Sequence, residues 1–261
     1  MDRTRVVPLV ATVPSNLMRT LFDTPTATDV PTIHDGPVPP VEAVLFDFSN
    51  TLFRMVEVDE WLRRIAADTG RADALDVAAV LGDVARAYRL PEVVRAQVGR
   101  DLDQERHRQA MVTWFTHVPW LRGHEQVAHR HLTSDESWMP YTDTKPVLRD
   151  LKRRGIKVGI VSDFAWDLRA HLRHHGLLDL VDTCALSYEV GVEKPDPAIF
   201  RHACAALGAD PRGTLMVGDN PVRDGGSVHA GIRAFILPTE HRTGERGLAQ
   251  ISGLLDASRA R

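Results

Sequence analysis

Carboxylates that follow short apolar runs are the first chemistry this chain offers. Asp47 closes the run AVLFD, Asp219 follows LMVG, and Asp224 stands five residues further on. Ser162 and Asp163 follow KVGIV, and Lys194 lies in GVEKPDPAIF, ahead of a helix start marked by Asp196 as cap and Pro197 at the first turn. A carboxylate at the end of a buried strand is costly unless a cation or hydrogen-bond donors meet it. Three anions on one rim repel one another and need a cation between them. Without a cysteine in the set a hard divalent ion suits them, and Mg²⁺ takes one or two carboxylates while keeping positions for water and phosphate oxygens. The Lys194 ammonium and the Ser162 hydroxyl would then face a phosphate, one as a point charge and the other as a donor. The chemistry implied is phosphoryl transfer.

The elements that must position these residues can be read from the apolar pattern. Ala43 to Phe48, Lys157 to Val161, Leu215 to Val217 and Ala234 to Leu237 are continuous runs of strand length. Helical spacing separates them: Val147, Leu148 and Leu151; Leu168, Leu172 and His175; Ile199, Phe200, Ala203 and Leu207. The alternation predicts an α/β fold, a parallel sheet with helices on both faces, whose ligands bind at the carboxyl ends of the strands. Between Met55 and about Glu136 only helical periodicity is present, carried by Trp61, Leu62 and Ile65, by Val77, Val80, Leu81 and Val84, and by Met111, Val112 and Phe115. The expected organisation is a core of residues 41–54 and 137–261, an all-helical insertion at 55–136, and a proline-rich, extended arm at 1–40.

Bulk properties narrow the classes. A net charge of -3 over 261 residues gives no general basic field for nucleic acid. No apolar run approaches the ~18 to 20 residues that span a bilayer, so no membrane partner is expected. Cys184 and Cys204 lack metal-ligand spacing, which predicts two small core residues in a reducing, cytoplasmic setting. Monomer and homodimer are both compatible with the sequence. Arg54 and the cluster Glu105, Arg106, His107 and Arg108 are candidates to face an anionic substrate, against the plainer reading of a solvated helix face. The histidines of HLRHHG, 171 to 176, are read as lying outside the rim and as surface groups at most, and Trp114, Trp120 and Trp138 as packing residues.

Four motifs together carry a resemblance. DFSNT at 47–51, VSD at 161–163, EKPDP at 193–197 and GDNPVRD at 218–224 are similar, in order and spacing, to the four motifs of the haloacid dehalogenase superfamily. The similarity extends over about residues 41 to 240 and implies a Rossmann-like core, with the helical insertion in the place of the family's cap domain. It implies that Asp47 is the nucleophile of a covalent aspartyl intermediate and that Ser162 and Lys194 hold phosphate. It further implies that Asp219, Asp224, Asp47 and the carbonyl of Ser49 surround Mg²⁺, and that the substrate is a small phosphorylated molecule.

Ser49 departs from that pattern. The phosphatases of this superfamily carry a second Asp there, which protonates the leaving oxygen and then activates water. General acid-base assistance of that kind is worth roughly 10²- to 10⁴-fold. Three readings stay open: a phosphatase with a good leaving group or with its proton supplied by Asp163, a cap residue or the substrate; a dehalogenase that breaks a carbon–halogen bond; and a quiet module that binds phosphate or a partner. The family's dehalogenases need no metal, so retention of both Asp219 and Asp224 favours the first. A phosphonatase would need an imine-forming cap lysine, and no lysine occurs between Met55 and Glu136.

Overall fold

The computed structural model describes residues 39–238 and 244–259; the arm expected at 1–40 lies outside them except for its last two prolines. Strand β1, Ala43–Phe46, is buried at every position, and β2, Phe53–Met55, follows a short turn. Five helices come next: α1 Val58–Thr69, α2 Val77–Ala87, α3 Pro91–Ala96, α4 Gln104–Thr116 and α5 Glu125–Thr133. Strand β3, Trp138–Pro140, then pairs antiparallel with β2, setting Phe53 opposite Pro140. The two strands form a stem on which the helical stretch leaves and rejoins the sheet.

Beyond the stem the chain alternates as its apolar runs predict. Helix α6, Thr144–Arg153, precedes β4, Lys157–Ser162; α7, Arg169–His174, precedes β5, Thr183–Leu186. The short α8, Ser187–Val190, and α9, Pro197–Leu207, lead to β6, Thr214–Gly218, then β7, Arg233–Ile236, and α10, Ala249–Arg259. The strands form one parallel sheet in the order β5-β4-β1-β6-β7, with Ala43 in register with Lys157 on one side and Thr214 on the other.

Alternate residues of β1 face opposite layers, as a period of two requires. Ala43 and Leu45 join Ile199, Phe200, Ala203 and Leu207 of α9, with Met216 from β6. Val44 and Phe46 join Val147, Leu148 and Leu151 of α6 and Ile251 and Leu255 of α10. Helices therefore cover both faces. The second layer continues without a break through Phe48 and Phe53 into Trp61, Leu62, Trp114 and Phe115 of the helical stretch. Cys184 and Cys204 are both buried and unbridged, and Trp114, Trp120 and Trp138 are packed inside. Among the described residues no helix is long and apolar enough to cross a membrane.

Candidate active site

The site grows out of the ends of β1, β4 and β6. Asp47 extends β1 by one residue, its backbone N–H donating to the Val217 carbonyl at 2.9 Å. The chain then reverses tightly: the Phe48 carbonyl accepts from Leu52 N–H at 3.1 Å and from Phe53 N–H at 2.9 Å. Asn50 takes a left-handed backbone with φ 58°, a conformation asparagine tolerates better than most side chains. The turn aims the Asp47 carboxyl across the strand ends. Its Oδ1 accepts from Lys194 Nζ at 2.7 Å and from Ser162 Oγ at 3.2 Å. Lys194 donates at 2.6 Å to Asp224 Oδ1 as well, and Asn220 N–H donates at 2.9 Å to Asp224 Oδ2.

One glycine makes this approach possible. A Cβ on Gly218 would fall 2.1 Å from Asp224 Oδ2 and 2.2 Å from its Cγ, so no larger residue fits between β6 and that carboxylate. Lys194 is 4% exposed and the Asp224 side chain is fully enclosed. Burial pushes the Asp47 carboxyl up to about 7 against the pull of the Lys194 ammonium, with Asp224 and Asp219 adding to the rise. Asp219 is pushed to about 6 by burial and then by Asp224, while Lys194 and Arg246 oppose the shift. Burial alone would lower Lys194, yet Asp224, Asp47 and Asp163 together hold it above the ordinary lysine value, so it stays an ammonium.

The donor set fits a hard divalent cation. One ligand atom from each of Asp47, Asp219 and Asp224 lies within 4.8 Å of the others, all are carboxylate oxygens, and two of the three carboxyls are raised by burial and then by their acidic neighbours, a cost that a cation would relieve. Lys194 and Ser162 both engage Oδ1 of Asp47, which leaves Oδ2 for a ligand or for attack on an electrophile.

The remaining expected residues divide. Asp163 reaches the site through Lys194: its Oδ1 accepts from the Lys194 backbone N–H at 2.8 Å and its Oδ2 from the Arg223 guanidinium. Both oxygens are engaged, so Asp163 positions the lysine and is poorly placed to deliver a proton. Ser49 lies half-buried in the turn after Asp47, with no carboxyl of its own to offer. Arg54 turns to Glu57, 3.5 Å away, and to the Met55 carbonyl, so its charge is directed to its own stem. Within the 105–108 cluster, Glu105 and Arg108 pair on the exposed face of α4, whereas His107 is buried. His107 shares a stripe with Ala110, Met111, Trp114 and Phe115, a helical spacing that could have revealed it.

Two groups escaped the sequence reading. Arg246, 3% exposed, donates through Nε to the Asn50 carbonyl at 2.5 Å and so buttresses the turn after Asp47. It is held in turn by Asp143, whose carboxylate accepts the backbone N–H groups of Arg246, Gly247 and Leu248 at 2.8 to 2.9 Å. The second is His171, expected at the surface and found wholly enclosed. The Trp166 indole donates to its Nε2 at 2.8 Å, while its Nδ1 lies 2.8 Å from Asp135 Oδ1, off the axis a hydrogen bond needs. Burial pushes this imidazole down to about 4, with Asp135 opposing. No alternation of residues marks such a histidine, because α7 is only six residues long.

Similarity to known proteins agrees with this geometry. The chain matches the haloacid dehalogenase-like hydrolase family over residues 41–228. It is 31% identical over 212 residues to a glyceraldehyde 3-phosphate phosphatase of Methanopyrus kandleri, covering 78% of this chain and 85% of that protein. It is 26% identical over 219 residues to the protein of the same name in Methanothermobacter thermautotrophicus, covering 82% and 93%. The solved structure of a HAD phosphatase from Thermococcus onnurineus superposes with a TM-score of 0.56 at 25% identity, over 82% of this chain and 98% of that one. With a matching family over most of its length, a parallel sheet in the order above and four motifs meeting at its strand ends, the chain belongs to the haloacid dehalogenase-like hydrolases.

Proposed function

We propose that the protein is a Mg²⁺-dependent phosphatase of a small phosphorylated metabolite, with Asp47 as the attacking carboxylate. The observation that carries this reading is the Lys194 ammonium held between Asp47 and Asp224, beside a third carboxylate and the Ser162 hydroxyl. Lys194 and Ser162 would hold the phosphoryl oxygens while Asp47 Oδ2 attacks phosphorus, forming an aspartyl phosphate that water then opens. Asp47, Asp219, Asp224 and the Ser49 carbonyl would hold Mg²⁺, which supplies neutralising charge to the phosphate. Residues 55–136 serve in this reading as a cap over a core of 41–54 and 137–261, shielding the reaction from bulk water and favouring small substrates. The phosphatase names of the two relatives support the same substrate class.

A carbon–halogen hydrolase would use Asp47 alone and leave the cluster of Asp219 and Asp224 without a role, and the retained nucleophile and lysine argue against a merely binding module. The test is release of phosphate from acetyl phosphate and p-nitrophenyl phosphate with Mg²⁺ and with EDTA, by the native chain and Asp47→Asn. Metal-dependent release is expected, with a loss in the variant on the order of 10⁶-fold, the scale on which a covalent nucleophile is missed. Chloride release from 2-chloropropionate in EDTA, without phosphate release, would transfer the assignment to a dehalogenase.

A further inference from the structure

The helical stretch carries a line of buried titratable groups that the phosphate rim does not use. Asp101, in the 3-10 turn Arg100–Leu102, is 7% exposed, and its Oδ1 lies 4.0 Å from His107 Nε2. His107 Nδ1 is 3.2 Å from His129 Nε2, and His129 on α5 is only half-buried. The line therefore runs from an enclosed carboxyl to a group that meets solvent. Its inner end opens on a cavity of about 30 Å³ bounded by Asp101, His107, Asp163, Trp138 and Trp166. That is room for about two waters, and the lining offers them polar partners. Asp163 lines this cavity and its Oδ1 accepts from the Lys194 backbone N–H at 2.8 Å, so a single residue separates the cavity from the lysine of the rim. The turn is seated on the core, with Ser187 Oγ donating to the Asp101 carbonyl at 2.5 Å.

We propose that Asp101 supplies the acid-base function that Ser49 lacks, directly or through a cavity water, and that His107 and His129 connect it to solvent. The inference rests on the phosphatase reading. In the first step the Asp47 oxygen forms a bond to phosphorus, the bond from phosphorus to the leaving oxygen breaks with its electron pair going to that oxygen, and the Asp101 carboxyl gives it a proton. In the second, water attacks the aspartyl phosphate, Asp101 takes the water's proton, and Asp47 leaves as a carboxylate with inorganic phosphate as product. Both protons balance, and no further reactant is needed.

The surroundings suit the role. Arg100 Nε at 3.3 Å, His107, Asp163, Arg223 and the Glu193 carboxyl are the charged and titratable groups that face Asp101. Burial raises its carboxyl above the usual range, with Arg100 opposing, which favours the protonated form that an acid needs. Burial, then Arg100 and His129, push His107 down to about 2, so it stays neutral and passes a proton from one ring nitrogen to the other.

Leaving-group dependence tests the assignment. Acetyl phosphate expels an anion that needs no proton, whereas glycerol 3-phosphate expels an alkoxide that does. In Asp101→Asn the ratio of glycerol 3-phosphate turnover to acetyl phosphate turnover should fall on the order of 10²-fold; in His107→Gln it should fall less, in the same direction. A ratio equal to that of the native chain, even with both activities lower, would reduce Asp101 to a structural residue and overturn the proposal. Native turnover of acetyl phosphate that depends on Asp47, with none of glycerol 3-phosphate, would overturn it and leave the phosphatase reading standing. Turnover of neither would remove both.

Discussion

Lys194 and His107 are equally enclosed, each 4% exposed, and the protein holds them in opposite states. The lysine is kept charged by carboxylates at 2.6 and 2.7 Å; the histidine is kept neutral beside a second imidazole and the edge of Trp166, whose ring centroid is 5.0 Å away. His171 behaves like His107, between an indole and Phe48, although Asp135 Oδ1 lies 2.8 Å from its Nδ1. Burial disfavours the charged form of all three groups, and the lysine, with two carboxylates in hydrogen-bond contact, is the one that resists it. The rim at the strand ends concentrates fixed charge of both signs, Lys194 among Asp47, Asp219 and Asp224. The wall beneath the helices presents imidazole and indole rings instead.

Breaking the charged side should have the largest effect on stability. Lys194→Met leaves Asp47 and Asp224 facing each other without a cation, and unfolding in urea should show a loss of about 3–5 kcal/mol, as when one partner of a buried pair is removed. Unchanged stability would mean that water already reaches the rim and that the contrast with His107 is overstated. Gly218→Ala comes next. The new methyl would meet Asp224 Oδ2 at 2.1 Å and turn that carboxylate away from Lys194. A cost of about 1–3 kcal/mol is expected from overpacking, with weaker Mg²⁺ binding by calorimetry; native affinity for Mg²⁺ would show that Asp224 is not needed for the ion.

The neutral side gives the smallest effect and a different signature. The unfolded chain protonates an ordinary histidine near 6.5, whereas folded His171 waits until about 4. The unfolded state therefore binds more protons in that window, and the native chain loses stability as pH falls through it. His171→Phe lacks this dependence. The native-minus-variant stability should shrink by on the order of 1 kcal/mol between pH 6.5 and 4. A difference that is flat with pH would place a charge on His171 and blur the comparison.

Much of the rim was legible in the sequence because parallel strands buried on both faces read as unbroken apolar runs, and the chemistry stands at their ends. Asp47, Ser162, Lys194 and Asp224 meet through direct contacts, and Asp196 caps α9 by accepting from Ala198 N–H at 2.8 Å, as its place before Pro197 suggested. Strand β5 was not foreseen, since TCAL is four residues long without a marked boundary. Nor were β2 and β3, three residues each, which pair only because the helices bring their ends together. Arg246 and His171 were missed for a related reason. Each is defined by partners far along the chain, Asn50 for one and Asp135 for the other, and spacing within a segment holds no record of such contacts.

The register of β1 has a consequence for the order in which the chain can assemble. Its neighbours on both sides, Lys157 and Thr214 opposite Ala43, are made long after it. At roughly 5–20 residues per second, synthesis leaves this apolar strand without a partner for on the order of ten seconds. The helices between β2 and β3 depend on nearer contacts and can form in that interval. The strand that leads to Asp47 is thus translated before both of its neighbours and is among the last to be enclosed. The newborn chain is most prone to aggregate while its central strand waits.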